Sequence, residues 1–510
     1  MKLYFQTSDV PLFPERYRYA VEQMMLTLFP GERPEYPEEI PHSMSGEDNA
    51  VLFDFRRRER LIRISVQVFR PQGCQTGVSN FPSSVLDRPP EEVYHFVQSR
   101  LKLAFYKAGT AILGHELPWG TLTGVRPVKV PTRMLLLDGL TPTQAERHMQ
   151  WDYHVSPERA RLAVACAQAT VEVQRALIPD LISLYVGIPF CPTRCAYCSF
   201  VSADVSRTLK LVEPYLDALL REVEETGRVL KGTGLKVCSF YIGGGTPTTL
   251  SADQLDRLLS KCEESLPLEL CAEYTVEAGR PDTITREKLE VLARHGTGRV
   301  SINPQTLEDH VLEAIGRKHS TEDIRAAYSL ARSVGFDCIN MDLIAGLPRD
   351  SFDGFRHSLE GILAMDPENI TVHTLALKKG ARLMEEGGAS FGTSSGALPG
   401  GGEVTKMLDW SRDVLKTYGY SPYYLYRQKY MSGSLENVGW TKPNRASLYN
   451  IVMMEELHTV VSLGAGGVTK LIGDGTIRRL TNPKYPHDYL SGLDKVLAQK
   501  AEIPAFYQSI

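Results

Sequence analysis

The chain has 510 residues, 43% of them hydrophobic and 23% charged, and a net charge of −4. That is enough chain for two or three domains with a large buried core, and the slight acidic excess argues against a nucleic-acid-binding surface. The opening residues, Met1 to Val10, are too polar for a secretory signal peptide, and no apolar run reaches the ~18 residues of a membrane helix. A cytoplasmic protein with reduced thiols is expected.

Val51–Phe55 and Leu61–Phe69 alternate in hydrophobicity like strands, with Arg56-Arg-Arg-Glu-Arg60 between them as a solvated hairpin tip. Glu91–Gly109 and Thr141–Ala176 have helical periodicity, and the Gly- and Pro-containing stretch Leu117–Pro127 between them marks a shaped loop. Residues 1–178 are expected to form an accessory α/β domain. Over 179–386 the pattern becomes a strand–helix alternation. Strands are expected at Ile182–Gly187, Val237–Ile242, Glu273–Val276, Val300–Asn303, Cys338–Leu343 and Ile370–Leu375. Amphipathic helices are expected at Leu211–Leu230, Ala252–Ser265, Thr285–His295, Glu322–Ser333 and Phe352–Ala364. Such repetition implies a parallel sheet with right-handed crossovers. Six strands are too few for a complete eight-stranded barrel, so a partial (β/α)6 barrel is expected. The Gly- and Ser-rich 387–402 reads as a flexible linker, and 403–510 as a small mixed C-terminal domain. This last segment holds the tyrosine-rich Tyr420–Tyr430 and the run Leu463-Gly-Ala-Gly-Gly-Val468. The run lacks the Gly-Lys-Ser/Thr of a P-loop, so it reads as a tight backbone approach to the barrel or its ligand.

The most specific chemical signal is Cys191, Cys195 and Cys198, spaced C-x3-C-x2-C with Tyr197 just before the third thiol. Structural zinc needs four N or S ligands, and no second C-x2-C or H-x3-H is present to complete such a set. The scattered Cys74, Cys166, Cys238, Cys262, Cys271 and Cys338 read as ordinary buried thiols. Three thiolates bind three irons of a [4Fe-4S] cubane and leave the fourth iron open for chemistry.

Functional side chains of a parallel barrel gather at the carboxyl ends of its strands. After the cysteine loop, the second strand ends at Gly243-Gly-Gly-Thr-Pro247, which lets a backbone approach a ligand closely. The third strand ends at Glu277, a carboxylate able to accept from a ribose or an ammonium. The fourth gives Ser301-Ile-Asn-Pro-Gln305, followed by Ile315-Gly-Arg-Lys-His319. In the fifth, Asp342 lies between Met341 and Leu343, where burial is costly without a polar partner. The sixth runs through Val372-His-Thr-Leu-Ala376.

Motif order and spacing from about 182 to 378 resemble the radical S-adenosylmethionine (SAM) superfamily and, within it, the oxygen-independent coproporphyrinogen III oxidases. The resemblance continues loosely through Asn437-Val-Gly-Trp440 and Leu463–Gly467, and Leu122-Thr-Gly-Val-Arg-Pro127 is similar to the longer HemZ-like branch. It implies cluster ligands at Cys191, Cys195 and Cys198 and one or two bound SAM molecules. First SAM contacts are implied at Tyr185, Gly245 and Glu277, with Gly244 in the segment that binds the methionyl amino group. Contacts to a second SAM or to substrate are implied at Tyr197, Thr246, Gln305, Arg317, Asp342 and Ala376, and more weakly at His319. No catalytic side chain is assigned.

The implied reaction uses a 5′-deoxyadenosyl radical. It converts two propionates of coproporphyrinogen III to vinyl groups with loss of CO2, giving protoporphyrinogen IX. An external electron donor such as flavodoxin or ferredoxin is implied. Arg317, Lys318 and Arg427 are candidate cations for the carboxylates of a tetrapyrrole. Phe200 stands where some members carry a further cysteine and where related heme chaperones carry Phe. A heme chaperone and a heme-degrading radical methyltransferase are the alternative readings.

Overall fold

A computed structural model describes residues 1–8, 14–199, 203–377, 381–383, 399–428 and 435–508. Phe200 and all but the last four residues of the expected linker 387–402 lie outside the described residues. Packing divides the chain into two compact units. No helix among the described residues is long and apolar enough to cross a membrane.

The first unit comprises residues 1–127 and 137–164. Its four-stranded sheet runs in the order β1 (Lys2–Ser8), β2 (Ala50–Arg58), β3 (Leu61–Arg70), β4 (Gly73–Pro82). β1 is parallel to β2, and the other pairs are antiparallel. Val51, Phe53 and Phe55 alternate inward on β2, as do Ile62, Ile64, Val66 and Val68 on β3. They meet the apolar stripes of helices Arg18–Leu28 and Pro90–Leu113; Phe53 packs edge-on to Phe105 at 5.3 Å. Arg56–Arg60 is exposed at the β2–β3 turn, as expected of a hairpin tip, with Glu59 at φ +50°. β4 was not expected. Its polar sequence lacks an apolar period, and main-chain pairing to β3 supplies what periodicity does not. The helical stretch expected over 141–176 is two helices, Pro142–Tyr153 and Pro157–Ala176, because His154 turns left-handed at φ +54° and a proline starts the next helix.

The second unit holds 128–136 and the described residues from 165 onward. Its sheet contains β5 (Leu181–Ile188). A short two-stranded pair, β6 (Phe190–Cys191) and β7 (Ala203–Asp204), follows at the end of β5. Next come β8 (Lys236–Gly244), β9 (Glu273–Gly279), β10 (Arg299–Ile302), β11 (Ile339–Ala345) and β12 (Asn369–Thr374). β5, β8, β9, β10, β11 and β12 are successive parallel neighbours. Helices Val212–Lys231, Ala252–Ser265, Arg286–Arg294, Thr321–Val334 and Phe352–Met365 link them. Ser251 and Ser320 start two of these helices through reciprocal caps with Gln254 and Asp323. This is the partial (β/α)6 arrangement that the strand–helix period predicts.

The C-terminal segment belongs to the same compact unit and extends the same sheet at both edges. β13 (Ser421–Arg427) and β14 (Glu436–Thr441) add antiparallel strands beyond β12. β15 (Val460–Leu463) lies parallel to β5, followed by β16 (Val468–Gly473) and β17 (Thr476–Thr481). The glycine run after β15 does make the expected tight approach. A Cβ at Gly464, itself at φ +81°, would stand 2.4 Å from the Gly187 carbonyl oxygen and 2.6 Å from the Tyr215 hydroxyl.

Candidate active site

β5 delivers the chain to the cysteine loop, and backbone hydrogen bonds hold that loop from within and from two neighbouring segments. The Ala196 amide donates to the Ile315 carbonyl at 2.9 Å, the Leu383 amide to the Ala196 carbonyl at 3.0 Å, and the Cys198 amide to the Cys195 carbonyl at 3.2 Å. From the end of β9, Arg280 donates to the Thr193 carbonyl at 3.1 Å and to its hydroxyl at 2.7 Å. Cys191, Cys195 and Cys198 are all half-buried and line one cavity of about 360 Å³. Among the described residues no three His, Cys, Asp or Glu side chains converge to hold a single ion. A cubane asks something different of its ligands, since each thiolate meets its own iron and the sulfurs stay apart. The donor set fits the cluster rather than a mononuclear metal.

The glycine turn closes over this loop. Gly244 has φ +107°, and a Cβ at Gly245 would lie 2.5 Å from the Phe190 carbonyl oxygen. The Gly245 amide donates to Ile188 and the Thr246 amide to Phe190, each at 2.7 Å. The Thr246 hydroxyl lies 3.5 Å from Cys191 Sγ. A side chain at Gly245 would force the two segments apart.

Two cavity-lining carboxylates, Glu277 on β9 and Asp342 on β11, have opposite electrostatics. Glu277 accepts from the Tyr241 hydroxyl at 2.6 Å. Burial raises its pKa to about 7, helped by the charge of Asp342 and opposed by its hydrogen bonds. Burial also pushes Asp342 up, but His373, Asn340 and Thr371 outweigh it, and the net shift is downward. Asn340 Nδ2 lies 2.8 Å and His373 Nε2 3.5 Å from the Asp342 carboxylate. Across the cavity, Arg317 donates to the Asn303 carbonyl and, at 3.3 Å, to the Tyr197 hydroxyl. Burial opposes the Arg317 charge, yet Tyr197 and Cys195 hold its pKa above the usual value. Arg317 Nε and Asn303 Oδ1 are buried with no hydrogen-bond partner among the described residues, an arrangement suited to a polar ligand. Gln305 is held at φ +70° by pairing with β11: its amide donates to Asp342 at 2.9 Å and its carbonyl accepts from Ile344 at 3.0 Å. A non-glycine residue in this region marks stored strain of the kind that gathers at functional sites.

Cys191, Cys195, Cys198, Tyr197, Gly244, Gly245, Thr246, Glu277, Gln305, Arg317, Asp342 and Ala376 all line the one cavity. Tyr185 is not in the lining; it stacks on Tyr241 and on Tyr449, each at 6.3 Å between ring centroids. His319 is buried outside the lining with Nδ1 3.7 Å from Asp282. Lys318 is exposed and Arg427 is buried, neither in the lining, which leaves Arg317 as the cavity-facing member of the three proposed cations. Cys166, Cys238, Cys262 and Cys338 are buried as expected, whereas Cys74 is exposed on β4 and Cys271 half-buried in a loop. Tyr241, Arg280, Asn340, His373 and Tyr423, Tyr424 and Tyr426 also line the cavity and were missed. The available signal was polarity at alternate positions of a parallel strand, as in Asn340/Asp342 on β11, since inward sites of a parallel sheet are normally apolar.

Residues 185–360 match the family described as the Radical SAM superfamily. Over 412 residues the chain is 39% identical to the oxygen-independent coproporphyrinogen-III oxidase-like protein HemZ of Bacillus subtilis (strain 168), spanning 79% of this chain and 80% of that protein. It is 38% identical over 197 residues to the heme chaperone HemW of the same organism, spanning 38% of this chain and 51% of HemW. The solved structure of coproporphyrinogen III oxidase (HemN) from Escherichia coli is alike in fold, with a TM-score of 0.50 at 24% identity over 64% of this chain and 72% of that one. Fold and site together define a radical SAM protein, a class whose cofactors are a [4Fe-4S] cluster and SAM. Within that class the chain belongs to the family of oxygen-independent coproporphyrinogen-III oxidase-like proteins.

Proposed function

We propose that this chain is a radical SAM oxidoreductase that decarboxylates two propionates of coproporphyrinogen III to vinyl groups, giving protoporphyrinogen IX. The observation that carries the proposal is the convergence of three thiols, a glycine turn, two carboxylates and a buried guanidinium on one cavity at the barrel strand ends. Cys191, Cys195 and Cys198 would hold the cluster. When bound, the cluster and SAM supply a one-electron route to hydrogen abstraction from an unactivated carbon. Gly244, Gly245 and Thr246 present backbone to the methionyl end of SAM, and Glu277 accepts from its ammonium or ribose. Tyr197, Gln305, Arg317, Asp342 and Ala376 line the space for a second SAM or the reacting propionate, with Arg317 the cation for a carboxylate. Burial of Gln305 and Arg317 helps keep water from the reacting carbon. An external donor such as flavodoxin or ferredoxin delivers one electron for each SAM cleaved, and the electron released with each CO2 passes to an external acceptor.

The identity to HemW over 197 residues favours a second reading, a heme chaperone with the same core. Anaerobic reconstitution followed by incubation with SAM, dithionite and coproporphyrinogen III separates the two. Protoporphyrin fluorescence supports the oxidase. Tight heme binding without turnover supports the chaperone and refutes the decarboxylation.

A further inference from the structure

Arg280 is a buried charge that the chemistry above does not use. Its side chain is 3% exposed and lines the same cavity as the three cysteines. One edge of the guanidinium, Nε and Nη2, forms a bidentate pair with Asp282 at 2.9 and 2.8 Å. The other edge, through Nη1, donates to both the carbonyl and the hydroxyl of Thr193. Thr193 is two residues from Cys191 and two from Cys195. Its hydroxyl also lies 3.4 Å from the Gly316 carbonyl oxygen, next to Arg317. The planar fork is thus committed on both edges, with its carboxylate partner on the edge away from the Thr193 contact.

We propose that Arg280 is a positioning residue for the cluster: it clamps the cysteine loop between its first two thiolates and brings the positive end of a half-buried ion pair to that loop. The inference rests on the reading that these cysteines carry the [4Fe-4S] cluster. Fixing the loop alone would need only a neutral donor. A guanidinium bonded to the residue midway between two ligating thiolates also stabilises the reduced, more negative cluster, because outer hydrogen bonds and charge tune cluster potential. Asp282 damps that effect from the far edge, so the two charges act on the potential with opposite sign.

The test uses the full chain, reconstituted anaerobically as wild type, Arg280→Gln and Asp282→Asn. Iron and sulfide per chain are assayed, and the reduced cluster is titrated by electron paramagnetic resonance without SAM. Arg280→Gln should lower the reduced-to-oxidised ratio at fixed potential about fivefold, ~40 mV for a one-electron couple. Asp282→Asn, which leaves the clamp in place, should raise it. Mere loosening of the loop would move both variants the same way. Shifts of the same sign, or none, overturn the role. If Arg280→Gln assembles no cluster, Asp282→Asn decides: a rise supports the role and an unchanged ratio refutes it. Wild type without iron would sink the cluster reading itself, a separate outcome.

Discussion

Glu277 should make ligand binding pH-dependent. With a pKa of about 7, it is protonated below neutrality and cannot then accept from an ammonium with full charge. SAM affinity, measured by equilibrium dialysis on the reconstituted protein, should therefore rise as pH rises through about 7. Glu277→Gln should flatten that profile and weaken binding about tenfold at pH 8. The same group acts on stability with the opposite trend. Its folded pKa exceeds the ordinary 4.5, so the folded state binds the extra proton between 4.5 and about 7, and stability falls as pH rises through that window. The loss is about 3 kcal/mol by pH 8 and should vanish in Glu277→Gln, as read from urea midpoints at several pH values. At the neighbouring loop, Cys195→Ala should abolish the iron–sulfur absorption of the reconstituted chain. Full iron content in that variant would contradict the ligand assignment.

At the scale of elements, close backbone approaches join the turns. Gly464 sits where a methyl group would press on the Gly187 carbonyl at 2.4 Å and the φ of +81° disfavours any side chain. Gly464→Ala should destabilise the protein by about 2–4 kcal/mol in urea unfolding. Gly298→Ala serves as the control. No atom lies within 4 Å of its would-be Cβ, and its change should stay within about 0.5 kcal/mol.

At the scale of the molecule, the C-terminal segment secures the β5 edge of the sheet through one buried charge cluster. Glu222, on helix Val212–Lys231, is 0% exposed and pairs with Lys500 Nζ at 2.7 Å. It also accepts from the Tyr489 hydroxyl, Asn482 Nδ2 at 2.9 Å and the Gly464 amide at 2.8 Å. Burial pushes its pKa up, but the Lys500 charge and these donors win, and the net shift is downward. Its contribution to stability is present above the ordinary 4.5 and is lost as pH falls through the lowered value. Lys500→Met leaves a buried carboxylate without its cation and should cost about 3–5 kcal/mol. Adding Glu222→Gln should restore most of that loss, measured as urea midpoints of the two variants.

The sequence by itself determined the elements whose signals are local. Apolar period marked the barrel strands and their helices, and three closely spaced cysteines marked the cluster loop. The glycine turn, Glu277 and Asp342 were legible because a parallel barrel puts functional groups at strand ends, whereas Gln305 and Arg317 were implied by the family resemblance. Only the tertiary structure decided which strands pair. Residues 403–510 read as a separate small domain, but hydrogen bonds to β12 and β5, made by strands about 70 and 280 residues away in sequence, join them to the barrel sheet. The same holds for side chains whose role is a partnership. Arg280 and Lys318 are both basic residues in loops, and one is buried against Thr193 and Asp282 while the other is exposed. Local pattern fixes what a segment becomes, whereas burial and charge pairing depend on long-range contacts that exist only once the chain has closed.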